Sequence, residues 1–509
     1  MKFIGRIVKQ TAQHEYKKTL NVNLGFDIQL DVLFNLLKKV KKTAYGKAYA
    51  INEFYKLPEV VNTFQSTIPI VDYEEFYSMW LHKTIEGERN ICWPGKINYF
   101  ALSSGTTGAP SKKIPVSKQM IRSFQKTSIK QITTLCQLDL PTEFFQKQVL
   151  VVGGSTKLED MGEYFQGDLS GILKKNTKKI ATPFTKPSNK ISDIKDWYKK
   201  LEKIVEEAPK WDIGIIAGIP SWCVLLLEEI VRKHQLNSIH DIWPNLKVYI
   251  HGGVFIEPYS KRLADVCKQP LHLFDTYLAS EGYFAYQQNS TEKSMQLLIN
   301  NGIFYEFVPY NSDYFGTDGK LKDRHKALTL EDVQEGINYA LVISTNAGLW
   351  RYILGDTIQF TNVEKREIKI TGRTKQYLSL AGEHLSLDNI HTGLQHTSKE
   401  LAVQIEEFTV FADSDQQCHH WYISTNIEVD KKLLINELDK NLSLLNDDYA
   451  SARKYTLKQP TITLLDSATF YKFLEKSGKL GAQNKFPRVM NRDQQQKWLT
   501  HIEESTIIS

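Results

Sequence analysis

Residues 148–154 read QVLVVGG, and residues 212–219 read DIGIIAGI. Each is a short, nearly uninterrupted apolar run that ends at or near glycine. A strand with one wet face alternates apolar and polar residues, whereas a strand covered on both faces does not. Between and after these runs the pattern turns helical. Asp196 to Ala208 places Trp197, Leu201, Ile204 and Val205 on one side, and Pro220-Ser221 punctuates the start of a helix through Val231. Leu246 to Ile250 gives a third strand, running into His251-Gly252-Gly253. A helix from about Pro258 to Lys268 leads to a fourth strand, His272 to Ala279. Strands of this kind joined by helices predict an α/β fold with a parallel sheet covered on both faces. Ligands of such sheets bind beyond the carboxyl ends of the strands. Gly252-Gly253 and Ser280-Glu281-Gly282 both stand at strand ends, where chemistry is expected.

Upstream, residues 28–41 (IQLDVLFNLLKKVK) have helical spacing, and residues 68–80 (IPIVDYEEFYSMW) read as a short extended piece followed by a helix. Ser117 can cap a helix whose stripe is Met120, Ile121, Phe124, Ile132 and Leu135. Residues 174–190 (KKNTKKIATPFTKPSNK) read as a solvated loop rather than a nucleic-acid patch. From Met295 the texture changes to strand pairs (MQLLI, IFYEFVP, NYALVIST, LWRYILGDTIQF), which predict antiparallel sheet or a small β-barrel-like part. After Gly372-Arg373 the pattern resets. Strands at 407–411, 421–425 and 461–465, with helices at 431–445 and 470–476, predict a small α+β domain. The boundary is set between 378 and 379, giving domains 1–378 and 379–509.

At 509 residues the chain exceeds what one core usually supports. Its 41% hydrophobic and 24% charged content is that of a globular protein, which excludes disordered and fibrous classes. A net charge of +6 suits a small anionic ligand better than an extended nucleic-acid track. Five scattered cysteines, never in a C-x-x-C pair, predict reduced thiols and a cytoplasmic setting. The first residues lack a signal-peptide core and read as an amphipathic helix. No apolar stretch approaches the roughly 20 residues that span a bilayer.

Residues 97–117 read INYFALSSGTTGAPSKKIPVS. Two extended runs flank Ser103-Ser104-Gly105-Thr106-Thr107-Gly108, so the loop is expected at a hairpin tip. Gly105 and Gly108 permit amide N–H groups to converge, the hydroxyls add donors, and Lys112 and Lys113 add charge. The stretch is either a plain turn or a phosphate cradle. It is not a Walker A loop, because Gly-x4-Gly-Lys-[Ser/Thr] is absent. Three further segments suit a nucleotide. Tyr277 could stack on a base and Glu281 could hold Mg²⁺, which takes one or two carboxylates plus phosphate oxygens. Asp356, after a glycine, could accept both hydroxyls of a ribose. Arg373 and Lys375 follow a strand. Lys485, in the glycine-containing stretch GKLGAQNKFPR (478–488), could reach a developing oxyanion at phosphorus and withdraw.

Taken in order, these segments resemble the auxin-responsive acyl-acid amido synthetases of the adenylate-forming superfamily. SSGTTGAPSK, YLASEG and WRYILGD resemble that family's three motifs. PIVDYEEF, HGGVFIEPY, ITGRTKQYLSLAGEHLS and QNKFPRV also fit, so the resemblance covers nearly the whole chain. It implies a large adenylating N-terminal domain, a small mobile C-terminal domain, and ATP with Mg²⁺. It also implies activation of a carboxylic acid as an acyl-adenylate, followed by transfer to an amine such as an amino acid. Carried over, Ser104, Gly105, Thr106, Thr107, Gly108 and Lys112 would surround the phosphates, with Lys112 preferred to Lys113. Tyr277 would lie by the adenine, Ser280 would be among the nucleotide-binding residues, Glu281 on Mg²⁺, Asp356 on the ribose and Arg373 near the nucleotide. Lys485 would serve adenylation. Trp350 departs from the family's usual Tyr, and His384 from a usual Lys. An acyl-CoA ligase shares the first half-reaction. An esterase is disfavoured because His251-Gly252-Gly253 has no G-x-S-x-G elbow beside it. A nucleotide-binding protein without catalysis is the third option.

Overall fold

In the computed structural model of the protein, the apolar runs form the parallel half of one eleven-stranded sheet. The structure describes every residue except 1, 21–24, 104–111, 178, 255, 317–318, 375–377, 379, 381–384, 414–415, 478–485 and 508–509. Thr185–Lys186, Gln148–Val152, Ile213–Gly218, Val248–Gly252 and His272–Ala279 lie side by side in that order, all parallel. Helices join them as the sequence predicts. Trp197–Glu207 starts at Asp196, whose side chain accepts from the Lys199 amide, and Pro220–Lys233 begins with proline at its first position.

The later strand pairs do not close into a barrel. A turn at Ser280-Glu281 sends Gly282–Tyr286 back antiparallel against His272–Ala279, with Gly282 opposite Ala279. That return extends the open edge of the parallel sheet. Met295–Leu297, Glu367–Arg373, Tyr352–Asn362, Asn338–Thr345 and Ile303–Pro309 then continue the same open sheet. A short connection leaves an edge strand's unpaired amides in reach, and they are satisfied in place.

Two local expectations change. Residues 174–190 are not a simple solvated loop, because Thr185–Lys186 is the edge strand of the large sheet and Lys174 is partly buried. In the helix Lys118–Thr134, capped by Ser117, Met120, Ile121 and Phe124 are buried but Ile132 is 38% exposed. The helix Leu387–Glu400 escapes a periodicity reading, since its buried face is only Ile390, Gly393, Leu394 and Thr397. Gly393 allows the close approach: a Cβ there would stand 2.7 Å from Leu442.

The described residues fall into two compact units. One comprises Met1–Ser103, Ser111–Gly253 and Ala264–Lys369. It also contains a four-stranded sheet in the order Lys112–Val116, Tyr99–Ser103, Phe165–Gly167, Glu159–Asp160. The other includes Val254–Leu263 and Ile370–Ser509. Its three-stranded sheet, Ile405–Asp413, Cys418–Thr425 and Thr461–Leu464, packs a core around Trp421, Leu434, Leu438 and Leu442.

Candidate active site

The stretch Trp350 to Asp356 is held at both ends by the core of the first unit. Trp350 is fully buried, stacks on Tyr45 at 5.5 Å and donates its indole N–H to the Cys92 carbonyl at 3.0 Å. The indole thus anchors the segment from within. Arg351 has φ +40°, a left-handed conformation costly for a residue with a side chain. Its guanidinium is fully buried, pairs with Glu306 at 2.9 Å, and donates to the carbonyls of Gln65 (2.7 Å), Ile68 (2.6 Å) and His325 (3.2 Å). Its own carbonyl accepts from the Val71 amide at 3.0 Å, and Ile353 donates to the Val71 carbonyl at 2.9 Å. The segment PIVDYEEF is thereby docked beside WRYILGD, two stretches some 280 residues apart in sequence.

This docking sets Tyr73 and Tyr352 among the predicted residues. In the pairing of Asn338–Thr345 with Tyr352–Asn362, Ala340 faces Thr357 while Val342 faces Ile353. Leu354-Gly355-Asp356 therefore bulges from the ladder, with Gly355 at φ +89° supplying the turn. The bulge delivers the Asp356 carboxylate to Tyr277, whose hydroxyl donates to Oδ2 at 2.7 Å. Tyr277 is buried with its ring 4.8 Å from that of Phe284, so it offers a hydroxyl here rather than an open stacking face. Glu281 is also buried. Burial, then the charges of Glu281 and nearby groups including Asp356, hold the Tyr352 phenol well above its usual pKa. Tyr352 is fully buried, yet among the described residues its hydroxyl has no hydrogen-bond partner. An orphaned donor amid carboxylates is costly unless a ligand group completes it.

The two loop lysines separate. The strands Tyr99–Ser103 and Lys112–Val116 pair antiparallel up to Ser103 opposite Lys112, as a hairpin requires. Lys112 Nζ lies over the Tyr73 ring, 5.2 Å from its centroid, and the Tyr73 hydroxyl accepts from the Lys113 amide at 2.9 Å. Lys113 Nζ instead donates to the Tyr164 hydroxyl at 2.6 Å. The structure thus gathers Lys112, Tyr277, Glu281 and Asp356 within the first unit, with Ser280 half-buried in the turn beside Glu281. Ser104, Gly105, Thr106, Thr107, Gly108, His384 and Lys485 lie outside the described residues. Arg373 ends the strand Glu367–Arg373, exposed, and belongs to the second unit.

Residues 486–490, directly after Lys485, are firmly held within the second unit. Phe486 packs with Phe470 and Trp498 at 5.0 and 5.3 Å. Arg488 donates to Glu407 at 2.5 Å, to the Phe408 carbonyl at 3.0 Å and to the Tyr259 hydroxyl at 3.1 Å. Burial opposes the Arg488 charge, but the Glu407 carboxylate together with Tyr259 and Tyr471 outweighs it and the pKa rises. Sequence reasoning missed Arg351, Tyr352, Tyr73 and Glu407. The available signal was a charged residue inside an apolar run, such as Arg351 in LWRYI or Glu306 in IFYEFV.

At the carboxyl end of Val248–Gly252, burial pushes His251 down to about 4, so it is neutral at pH 7. A Cβ on Gly252 would come within 2.4 Å of both the Thr276 carbonyl oxygen and Oγ1. Gly252→Ala is therefore expected to destabilise the protein by about 1–3 kcal/mol, through displacement of the strand that carries Tyr277. A melting temperature equal to that of the parent would show that the strand yields freely.

Three family models match the chain: the GH3 family N-terminal domain over residues 21–196, the central domain over 296–373, and the C-terminal domain over 388–494. The chain belongs to the GH3 family. This GH3 protein is 24% identical to indole-3-acetic acid-amido synthetase GH3.4 of Arabidopsis thaliana, over 78% of this chain and 75% of that one. It is 22% identical to the jasmonoyl–L-amino acid synthetase JAR4 of Nicotiana attenuata, over 91% and 90%. Its fold matches that of a GH3.15 acyl acid amido synthetase with a TM-score of 0.75 at 16% identity, covering 95% and 94% of the two chains. A 2-hydroxyisobutyryl-CoA ligase in its postadenylation state shares the fold more loosely, with a TM-score of 0.60 at 12% identity, over 94% and 91%. The GH3 chain is thus a mixed α/β protein of the adenylate-forming ligase architecture. Among its described residues, no helix is long and apolar enough to cross a membrane.

Proposed function

We propose that this GH3 protein is an ATP-dependent acyl acid amido synthetase of the cytoplasm. It activates a small-molecule carboxylic acid and passes the acyl group to an amine, an amino acid above all. The observation that carries the reading is the Tyr277–Asp356 hydrogen bond, which joins two motifs at a bulge beside Glu281 and the unpartnered Tyr352 hydroxyl. Residues 1–378 act as the adenylate-forming domain and 379–509 as the C-terminal domain.

In the first half-reaction an oxygen of the substrate carboxylate attacks the α-phosphorus of ATP. The bond to pyrophosphate breaks, leaving acyl-AMP. Catalysis of in-line attack needs positioning and neutralisation of charge. Ser104, Gly105, Thr106, Thr107 and Gly108 cradle the phosphates with Lys112, Asp356 accepts the ribose hydroxyls, Tyr277 borders the adenine, and Ser280 joins the nucleotide-binding set. Arg373 stands near the nucleotide, and Lys485 steadies the developing charge at phosphorus. Among the described residues no three or more His, Cys, Asp or Glu gather as a metal site. Mg²⁺ carried on ATP requires only one or two protein carboxylates, and buried Glu281 fits that requirement. Bound there, Mg²⁺ neutralises phosphate charge. In the second half-reaction the amine attacks the acyl carbonyl carbon, and AMP leaves as the amide forms.

Carboxylate-dependent ATP–pyrophosphate exchange across a library of acids tests the reading, and absence of exchange with every acid would sink it. The shared fold of the CoA ligase keeps thioester formation as the second reading. Incubation with ATP, an accepted acid and either CoA or amino acids separates the two, since a thioester without an amide contradicts the first. Asp356→Ala is expected to weaken ATP binding roughly ten- to a hundredfold, as one charge-assisted bond contributes about 1.5–3 kcal/mol. Unchanged affinity by calorimetry would remove Asp356 from the ribose role.

A further inference from the structure

At the carboxyl end of the strand Gln148–Val152 lies a cavity of about 10 Å³, room for one water-sized group. Gly153, Gly154, Ser170, Lys174, Trp197 and Lys200 line it. Two ammonium groups on one small cavity are unusual, since cations leave water only against compensation. Lys200 Nζ donates to the carbonyls of Gly153 (3.3 Å) and Gly154 (3.0 Å). Lys174 Nζ donates to the Pro187 carbonyl (2.7 Å) and to Ser192 Oγ (2.6 Å). An ammonium carries three N–H donors, so among the described residues each lysine has one unspent. Trp197, 7% exposed, holds a third: its indole N–H is buried without a partner among the described residues.

We propose that this cavity binds a single halide-sized monoanion, chloride under ordinary conditions. Three side chains, each with a donor to spare, line a space for one atom. A water there could accept only two of them and would leave the third donor unmet. An anion accepts all three and donates none. The carboxylates nearby act over distance, Asp168 on Lys200 and Asp193 on both lysines, while Lys186 adds a third positive charge near Lys174. Gly154 lets the helix start at Asp168 close on the strand end, because a Cβ there would overlap Asp168 Oδ2 at 1.9 Å.

The cavity has a pH signature. Burial lowers Lys174 and Lys200 to about 8 from 10.5. A lysine depressed in the folded state costs stability fully below pH 8, and that cost is relieved as pH rises from about 8 toward 10.5. A bound anion favours the charged lysines, so its affinity falls once pH passes 8.

Crystals grown with bromide in place of chloride are expected to show anomalous density within hydrogen-bonding distance of Lys174 Nζ, Lys200 Nζ and Trp197 Nε1. In solution, chloride is expected to raise the melting temperature above that in gluconate at equal ionic strength, at pH 7. That increment should fall by at least half in Trp197→Phe, vanish in Lys200→Met, and shrink above pH 8 in the parent. Trp197→Phe removes the N–H together with the five-membered part of the indole, so its increment is read against its own melting temperature in gluconate, and it decides the matter if Lys200→Met does not fold. No bromide density, a water in the cavity in both salts, or an equal increment in the parent and Trp197→Phe overturns the proposal.

Discussion

Arg351→Met is expected to destabilise the first unit by about 3–5 kcal/mol, because it strands the carboxylate of Glu306 in the core. Both partners of this pair are fully buried, and the guanidinium also serves three carbonyl oxygens. Methionine fills much of the volume but satisfies none of these groups. Urea denaturation measures the loss. A companion variant, Arg351→Met with Glu306→Leu, should recover only part of it, since the carbonyls of Gln65, Ile68 and His325 stay unsatisfied. The effect should reach the nucleotide. The Arg351 carbonyl ties Val71 to the strand that carries Tyr352 and Asp356, so variants still folded at low temperature should bind ATP more weakly. A loss below about 1 kcal/mol would mean that water replaces the guanidinium, contrary to its burial.

Lys485→Ala is expected to slow adenylate formation by about 10²–10³-fold, the usual cost of removing one preorganised donor from a developing oxyanion. Attack of the amine on a preformed acyl-adenylate should be largely intact, because its negative charge develops on the carbonyl oxygen rather than at the phosphoryl group. Pyrophosphate exchange reports the first step, and amide formation from synthetic adenylate reports the second. Equal losses in both would remove Lys485 from the first step. Its neighbours make the comparison clean. Phe486 and Arg488 are fixed in the second unit's core and sheet edge, so truncation at 485 leaves the chain beyond it in place.

Much of the fold was legible because covered strands write a plain signal. Runs such as DIGIIAGI cannot be exposed on either face, and Gly, Pro and Asp mark where their helices begin. The helix Leu387–Glu400 was not legible, since its buried face is narrow and partly polar: Thr397 accepts from Asn441 at 3.1 Å. The barrel expectation failed for a related reason. Alternation reveals an antiparallel strand but not its neighbour, and whether such strands close or extend a sheet depends on the edge they meet. Here the turn at Ser280-Glu281 met the free edge of His272–Ala279.

For the candidate site, the sequence by itself determined the inventory: hydroxyls and glycines at 103–108, Lys112, Tyr277, Glu281 and Asp356, in the order of an amido synthetase. Residue type and order are enough for that, because phosphate, metal and ribose each accept few partners. Only the tertiary structure decided how members of the set meet. It set Tyr277 on Asp356, placed Lys112 rather than Lys113 over Tyr73, and spent Arg351 on Glu306. The same holds for Lys174 and Lys200, which the sequence leaves in or near a polar stretch and the fold turns onto one cavity with Trp197. Burial and pairing arise between segments far apart along the chain, so no local pattern of residues encodes them.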